Sequence, residues 1–192
     1  MYVAVMMALV WATWELVGAD VRPVVIFTPE WNKIFAGEPI IMTCYVKSTR
    51  KVDETYLWYK EGEWVHTGKS YTIPEAQSSH SGRYQCQTSI SDKSDSVSLD
   101  VQNGYVILQA PLYIFEGDNI ILRCSHHPGF AAKQTIFFKE NDVIQDWGPE
   151  SELFIENIFI KSVWRYRCKK QVYHNLIYYK HTDLVSFSVT GK

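Results

Sequence analysis

Apolar and polar residues alternate along this chain with a period of two. Ile40, Met42 and Cys44 are interleaved with Ile41 and Thr43. Val97, Leu99 and Val101 alternate with Ser98, Asp100 and Gln102, and Val185, Phe187 and Val189 with Ser186, Ser188 and Thr190. Successive strand side chains point to opposite faces, so this period marks strands with one buried face. Glu61-Gly62, Ser81-Gly82, Glu116-Gly117, Asn141-Asp142 and Gly148-Pro149 punctuate the runs with residues that favour turns. Helical periodicity is weak beyond the first nineteen residues. Short strands separated by regular turns predict an all-β chain built of sandwiches.

The beginning of the chain reads differently. Met1 to Val17 is almost wholly apolar, broken only by Thr13 and Glu15, and Val17-Gly18-Ala19 then supplies small residues before Asp20. This pattern predicts a secretory signal peptide over residues 1–19, although no Lys or Arg follows Met1. The run is shorter than the roughly 20 residues that span a bilayer. The expected location is extracellular, either secreted or on the outer side of the cell membrane. In an oxidising compartment the four cysteines, Cys44, Cys86, Cys124 and Cys168, read as disulfides. Their number alone allows three pairings.

An internal repeat selects one pairing. Gly37-Glu38-Pro39-Ile40-Ile41-Met42-Thr43-Cys44 recurs as Gly117-Asp118-Asn119-Ile120-Ile121-Leu122-Arg123-Cys124. Leu57-Trp58-Tyr59-Lys60-Glu61 matches Ile136-Phe137-Phe138-Lys139-Glu140, and Arg83-Tyr84-Gln85-Cys86 matches Arg165-Tyr166-Arg167-Cys168. Three blocks in one order mean two copies of a domain-sized unit. Each copy then holds its own bridge, Cys44–Cys86 and Cys124–Cys168. Closing loops of this size stabilises by about 3–4 kcal/mol on the chain-entropy view. Trp58 follows the first cysteine at the spacing of a core tryptophan, and Tyr84 and Tyr166 each precede the second cysteine by two, as in a tyrosine corner. Phe137 replaces the tryptophan in the second copy, whose turn reads Lys161-Ser162-Val163. The predicted fold is two tandem immunoglobulin-like, C2-type β-sandwich domains with one disulfide each, over 20–102 and 103–192. Only Gln102-Asn103-Gly104 links them, which predicts a semi-fixed joint.

Composition excludes several functions. Nineteen basic against 21 acidic side chains leave a net charge of −2, with no electrostatic basis for nucleic-acid binding. Nucleophile-elbow, zincin and phosphate-loop motifs are absent from the sequence, and all four cysteines have structural partners. We therefore expect no enzyme, no catalytic residue, no metal, no cofactor and no small-molecule substrate. No Asn-x-Ser/Thr sequon occurs, so no N-linked glycan is expected. Alternation does predict one charged feature: with Tyr166 and Cys168 inward, Arg165, Arg167 and Lys169 face outward and Lys170 lies just beyond. Lys169 and Lys170 are thus candidate contacts for an acidic surface or a sulfated glycan.

The stretch Pro29-Glu30-Trp31-Asn32-Lys33-Ile34-Phe35-Ala36-Gly37-Glu38 resembles the Fc receptor and Fc-receptor-like family of leukocyte receptors. So do Val106-Ile107-Leu108-Gln109-Ala110 at the joint and Ser79-His80-Ser81-Gly82-Arg83-Tyr84-Gln85-Cys86. The resemblance covers nearly all of residues 23–190. It implies binding of an immunoglobulin Fc, mainly by the second domain and the joint, with a signalling subunit if the receptor is membrane-anchored. The family clamps an Fc proline between two tryptophans; Tyr105 and His127 stand at those positions here. Its other contact segments map to the loop at Trp147 and the hairpin at Tyr173. If His127 lies in the interface, affinity should change between about pH 6 and 7.5. The alternative is a receptor or decoy of the same kind with a non-antibody ligand: a class I-like molecule, another cell-surface protein or a glycan.

Overall fold

In a computed structural model the described residues are 22–47, 55–89, 91–159, 164–187, 189 and 191. The apolar leader, 1–19, and the turn Lys161-Ser162-Val163 lie outside them. The first half contributes β1 (Val24–Thr28), β2 (Lys33–Phe35), β3 (Ile40–Tyr45), β4 (Tyr56–Lys60), β5 (Glu63–Thr67), β6 (Ser70–Ile73), β7 (Gly82–Thr88) and β8 (Val97–Gln102). The second contributes β9 (Val106–Gln109), β10 (Ile120–His126), β11 (Ala131–Lys139), β12 (Asp142–Gly148), β13 (Glu152–Ile155), β14 (Trp164–His174) and β15 (Ile177–Phe187).

Each half forms two sheets. The first pairs β1-β3-β6 opposite β2-β8-β7-β4-β5, and the second pairs β13-β10-β9 opposite β12-β11-β14-β15. Only β2 and β8 run parallel; the other described pairs are antiparallel. The two-residue periodicity becomes burial directly: Ile40, Met42 and Cys44 are buried while Ile41 is exposed. The bridges Cys44–Cys86 and Cys124–Cys168 tie β3 to β7 and β10 to β14, across the sheets of each sandwich. A separate apolar core surrounds each bridge.

Trp58 is fully buried in the first core, and its indole N–H donates to the Gly68 carbonyl at 2.9 Å. The Tyr84 hydroxyl donates to the His80 carbonyl at 2.7 Å, closing the tyrosine corner over the 3-10 turn Ser78–His80. Phe137 fills the tryptophan's place in the second core, and the Tyr166 ring stacks on Phe187 at 5.7 Å. Among the described residues no helix is long and apolar enough to cross a membrane.

The joint is bonded from both sides. Trp31 bridges to Pro111, and the Leu112 amide donates to the Glu30 carbonyl. The Tyr113 hydroxyl donates to the Val25 carbonyl at 2.9 Å, and the Gln109 amide nitrogen to the Lys33 carbonyl at 2.8 Å. The Lys33 ammonium reaches the Asp183 carboxylate at 2.8 Å, and the same oxygen accepts the Leu108 amide at 2.7 Å. The edge strand β2 therefore closes the first sandwich and docks the second.

Candidate functional site

The longest ladder among the described residues is the β14–β15 hairpin, paired from Trp164–Phe187 to His174–Ile177. Strand parity gives it two aromatic faces. On one face lie His174, Val172 and Lys170; on the other lie Tyr173, Gln171 and Lys169. Asn175 and Leu176 make the tip, both with left-handed backbone, φ 50° and 66°. Turns with two positive φ values favour Asn followed by Gly. Here the second residue is a leucine with 86% of its surface in solvent, followed by Ile177 at 57%. The tip thus holds a large apolar side chain in a disfavoured backbone and exposes it to water.

Below the tip, the Tyr105 ring stacks on His174 at 4.6 Å and on His181 at 4.4 Å, with Phe130 edge-on at 5.1 Å. Tyr179 stacks on His174 at 4.3 Å. The Nε2 atoms of His174 and His181 are 3.1 Å apart. That contact requires one N–H and one lone pair, so both rings cannot be charged while it stands. Burial, and next the neighbouring His174, lower the pKa of His181 below its ordinary value. Burial first, then Lys170, lower that of His126.

These two histidines bind protons less tightly folded than unfolded, so the stability they confer is complete above the unfolded value near pH 6.5. It is lost as the pH falls through their lower folded values. We expect the melting temperature of the second sandwich to drop between pH 7 and 5, with a shallower slope in His181→Gln. Calorimetry at stepped pH checks this; a variant as steep as the wild type would exclude His181 as a cause.

The opposite face carries Tyr173 against Tyr178 at 5.0 Å. The Lys180 ammonium lies 5.0 Å above the half-buried Trp147 ring, tying β12 to the hairpin. The Arg167 guanidinium, at 4.5 Å, and the Lys169 ammonium, at 5.5 Å, both cover the Phe138 ring, while Arg165 is exposed.

The residues expected from sequence therefore fall in four places. Tyr105 is partly exposed on the histidine face. His127 is half-buried in the joint, its ring edge-on to Phe35 at 5.4 Å and to Phe130 at 5.6 Å, its Nδ1 accepting the Gly129 amide. Tyr173, Trp147 and Lys169 share the other face. Lys170 departs from expectation: it is 3% exposed and does not belong to the outward basic stripe. The strand continues past it to His174, so Lys170 has the inward parity of Cys168. Its ammonium donates to the Cys124 carbonyl at 2.8 Å and the Ser151 hydroxyl at 2.6 Å. His174 and His181 were not anticipated. The signal available for His174 was its even parity with Cys168, once the strand's length was known.

Comparison with known proteins places this architecture. The immunoglobulin-domain profile matches residues 22–101. The low affinity immunoglobulin gamma Fc region receptor III-A of Felis catus is 31% identical over 150 residues, covering 77% of this chain and 60% of that receptor. Fc receptor-like protein 5 of Mus musculus is 29% identical over 169 residues, covering 85% of this chain and 28% of that protein. The Homo sapiens protein of the same name is 32% identical over 149 residues, covering 77% of this chain and 15% of its own length. This chain belongs to the Fc receptor and Fc-receptor-like family. The relatives it matches are immunoglobulin-type receptors, a family without enzymatic members. It spans about three-fifths of the length of the feline Fc receptor, and less of the Fc-receptor-like proteins.

Proposed function

We propose that the chain is the extracellular ligand-binding part of an immune receptor and that it binds the Fc region of immunoglobulin. On this reading residues 1–19 are a signal peptide, and 20–102 and 103–192 are the two immunoglobulin-like domains. The observation that carries the reading is the exposed ledge at the hairpin tip, Leu176 and Ile177 with Tyr173 and Tyr178, together with Tyr105 exposed on the opposite, histidine face of the hairpin. Interfaces concentrate their free energy in aromatic anchors at the centre of such patches. The ledge coincides with the joint and hairpin positions that the family resemblance singles out, and the feline relative is by name a receptor for immunoglobulin gamma Fc. Trp147, with Lys180 over its ring, and Lys169 would extend the contact along the same sheet.

A second reading has its own observation. His127 is packed between Phe35 and Phe130, and Tyr105 already stacks on two histidines, so neither ring is free to clamp a proline from both sides. A class I-like molecule, another cell-surface protein or a glycan is then the ligand of the same ledge.

Surface-plasmon binding of residues 20–192 to immunoglobulins of each class separates the two. Fc binding should weaken by about tenfold or more in Tyr105→Ala, as expected for a hot-spot aromatic. Leu176→Gly should also weaken it while stabilising the fold by about 0.5–1 kcal/mol, the left-handed penalty of leucine less the extra chain entropy of glycine. No binding to any class by protein with both disulfides formed would reject the antibody reading in favour of the second.

A further inference from the structure

A cleft of about 410 Å³ opens where the two sandwiches meet. Its volume is that of a small-molecule site. We propose that this cleft binds a small carboxylate-bearing ligand, of the class of acidic monosaccharides, with Lys170 and Arg123 as its anion receptors.

The charge distribution calls for an anion. Lysine is almost never fully buried unless paired, yet Lys170 lies in the floor of the cleft with two neutral acceptors. Its third N–H has no acceptor among the described residues. The other cation of the lining, Arg123, adds to the same positive field, while burial and the neighbouring Lys170 keep His126 neutral. The lining carboxylate, Glu38, accepts the Phe35 amide at 2.8 Å and offsets one of the two cations, leaving the lining with an excess of positive charge. Glu152 stands 3.9 Å from Arg123, and both side chains are about half exposed. Burial first, and Arg123 second, push the Lys170 pKa down to about 8. An ammonium held in this way is costly until a counter-charge arrives.

The remaining walls select a sugar over a bare ion. Trp31, Pro29 and Pro39 come from the first sandwich and Pro128 from the second, giving apolar planes suited to the C–H faces of a pyranose. Ser125 and Gln109, bonded to each other at 2.6 Å, supply hydroxyl and amide groups for its hydroxyls. The ligand is held and not transformed. Tyr105 and the hairpin tip do not line this cleft, so sugar binding and Fc binding can fail independently.

The decisive experiment follows the Lys170 Cε resonance through a pH titration of the secreted protein, assigned by its loss in Lys170→Met. N-acetylneuraminate or glucuronate at millimolar concentration should raise its midpoint from about 8 toward the ordinary lysine value. Glucose should leave it unchanged, because it lacks the counter-charge. Arg123→Gln, at a half-exposed position that should keep the fold, should weaken the acidic sugars about tenfold. An unmoved midpoint with both acids, or full affinity in Arg123→Gln, would overturn the assignment. Inorganic sulfate binding as tightly as the acidic sugars would overturn the sugar class.

Discussion

Trp58→Ala is expected to unfold the first sandwich while the second keeps its own disulfide core. Truncating a fully buried tryptophan costs about 3–5 kcal/mol. A unit of this size has only about 4–12 kcal/mol to lose, at the usual stability per residue. The substitution removes the side chain that packs in the core around Cys44–Cys86 and leaves the Gly68 carbonyl without its indole donor. The two cores share no residue, so the damage should stay on one side of the joint. Differential scanning calorimetry should resolve a lowered or missing transition beside one near its original temperature. A single transition shifted as a whole would mean that the sandwiches melt as one cooperative unit.

Asp183→Ala is expected to release the joint, at a cost of about 2–3 kcal/mol, in the range for losing hydrogen bonds to a charged group. Both ends of the ion pair are largely shielded, the side chains of Lys33 and Asp183 being 14% and 24% exposed, so the value for an open surface bridge does not apply. The variant leaves the Leu108 amide unpaired and the Lys33 ammonium with only the Leu184 carbonyl at 3.3 Å. Asp183→Asn keeps an acceptor oxygen and should lose less. Urea unfolding gives the free energies, and small-angle scattering should show a broader distribution of sizes for the alanine variant. A cost below about 0.5 kcal/mol would place the pair among ordinary surface bridges.

What could be read from the sequence depended on the range of the interactions. Cys44, Cys86, Trp58 and Tyr84 were legible because their spacing repeats and their burial follows strand parity. The parity of Lys170 was misassigned because the strand's end was set too early. Nothing local in the sequence says that β14 runs on to His174. The His174–His181 contact depends on how far the hairpin extends, and β11 has an irregularity between Ala132 and Thr135 beside it. Lys33 and Asp183 are 150 residues apart, and neither residue type nor pattern announces their meeting. The ledge at Leu176 was only partly visible. Tyr173 stood out as an exposed aromatic, whereas the left-handed turn that presents Leu176 belongs to backbone geometry.

Asp183 sits directly across the ladder from Cys168. A pull on the first sandwich reaches Asp183 through Lys33, then crosses one row of β14–β15 to the covalent bond with Cys124. Tension at the joint is thus delivered beside a staple instead of being spread along hydrogen-bonded strands. Under load the Lys33–Asp183 latch should slip first, leaving the sheets of the second sandwich closed.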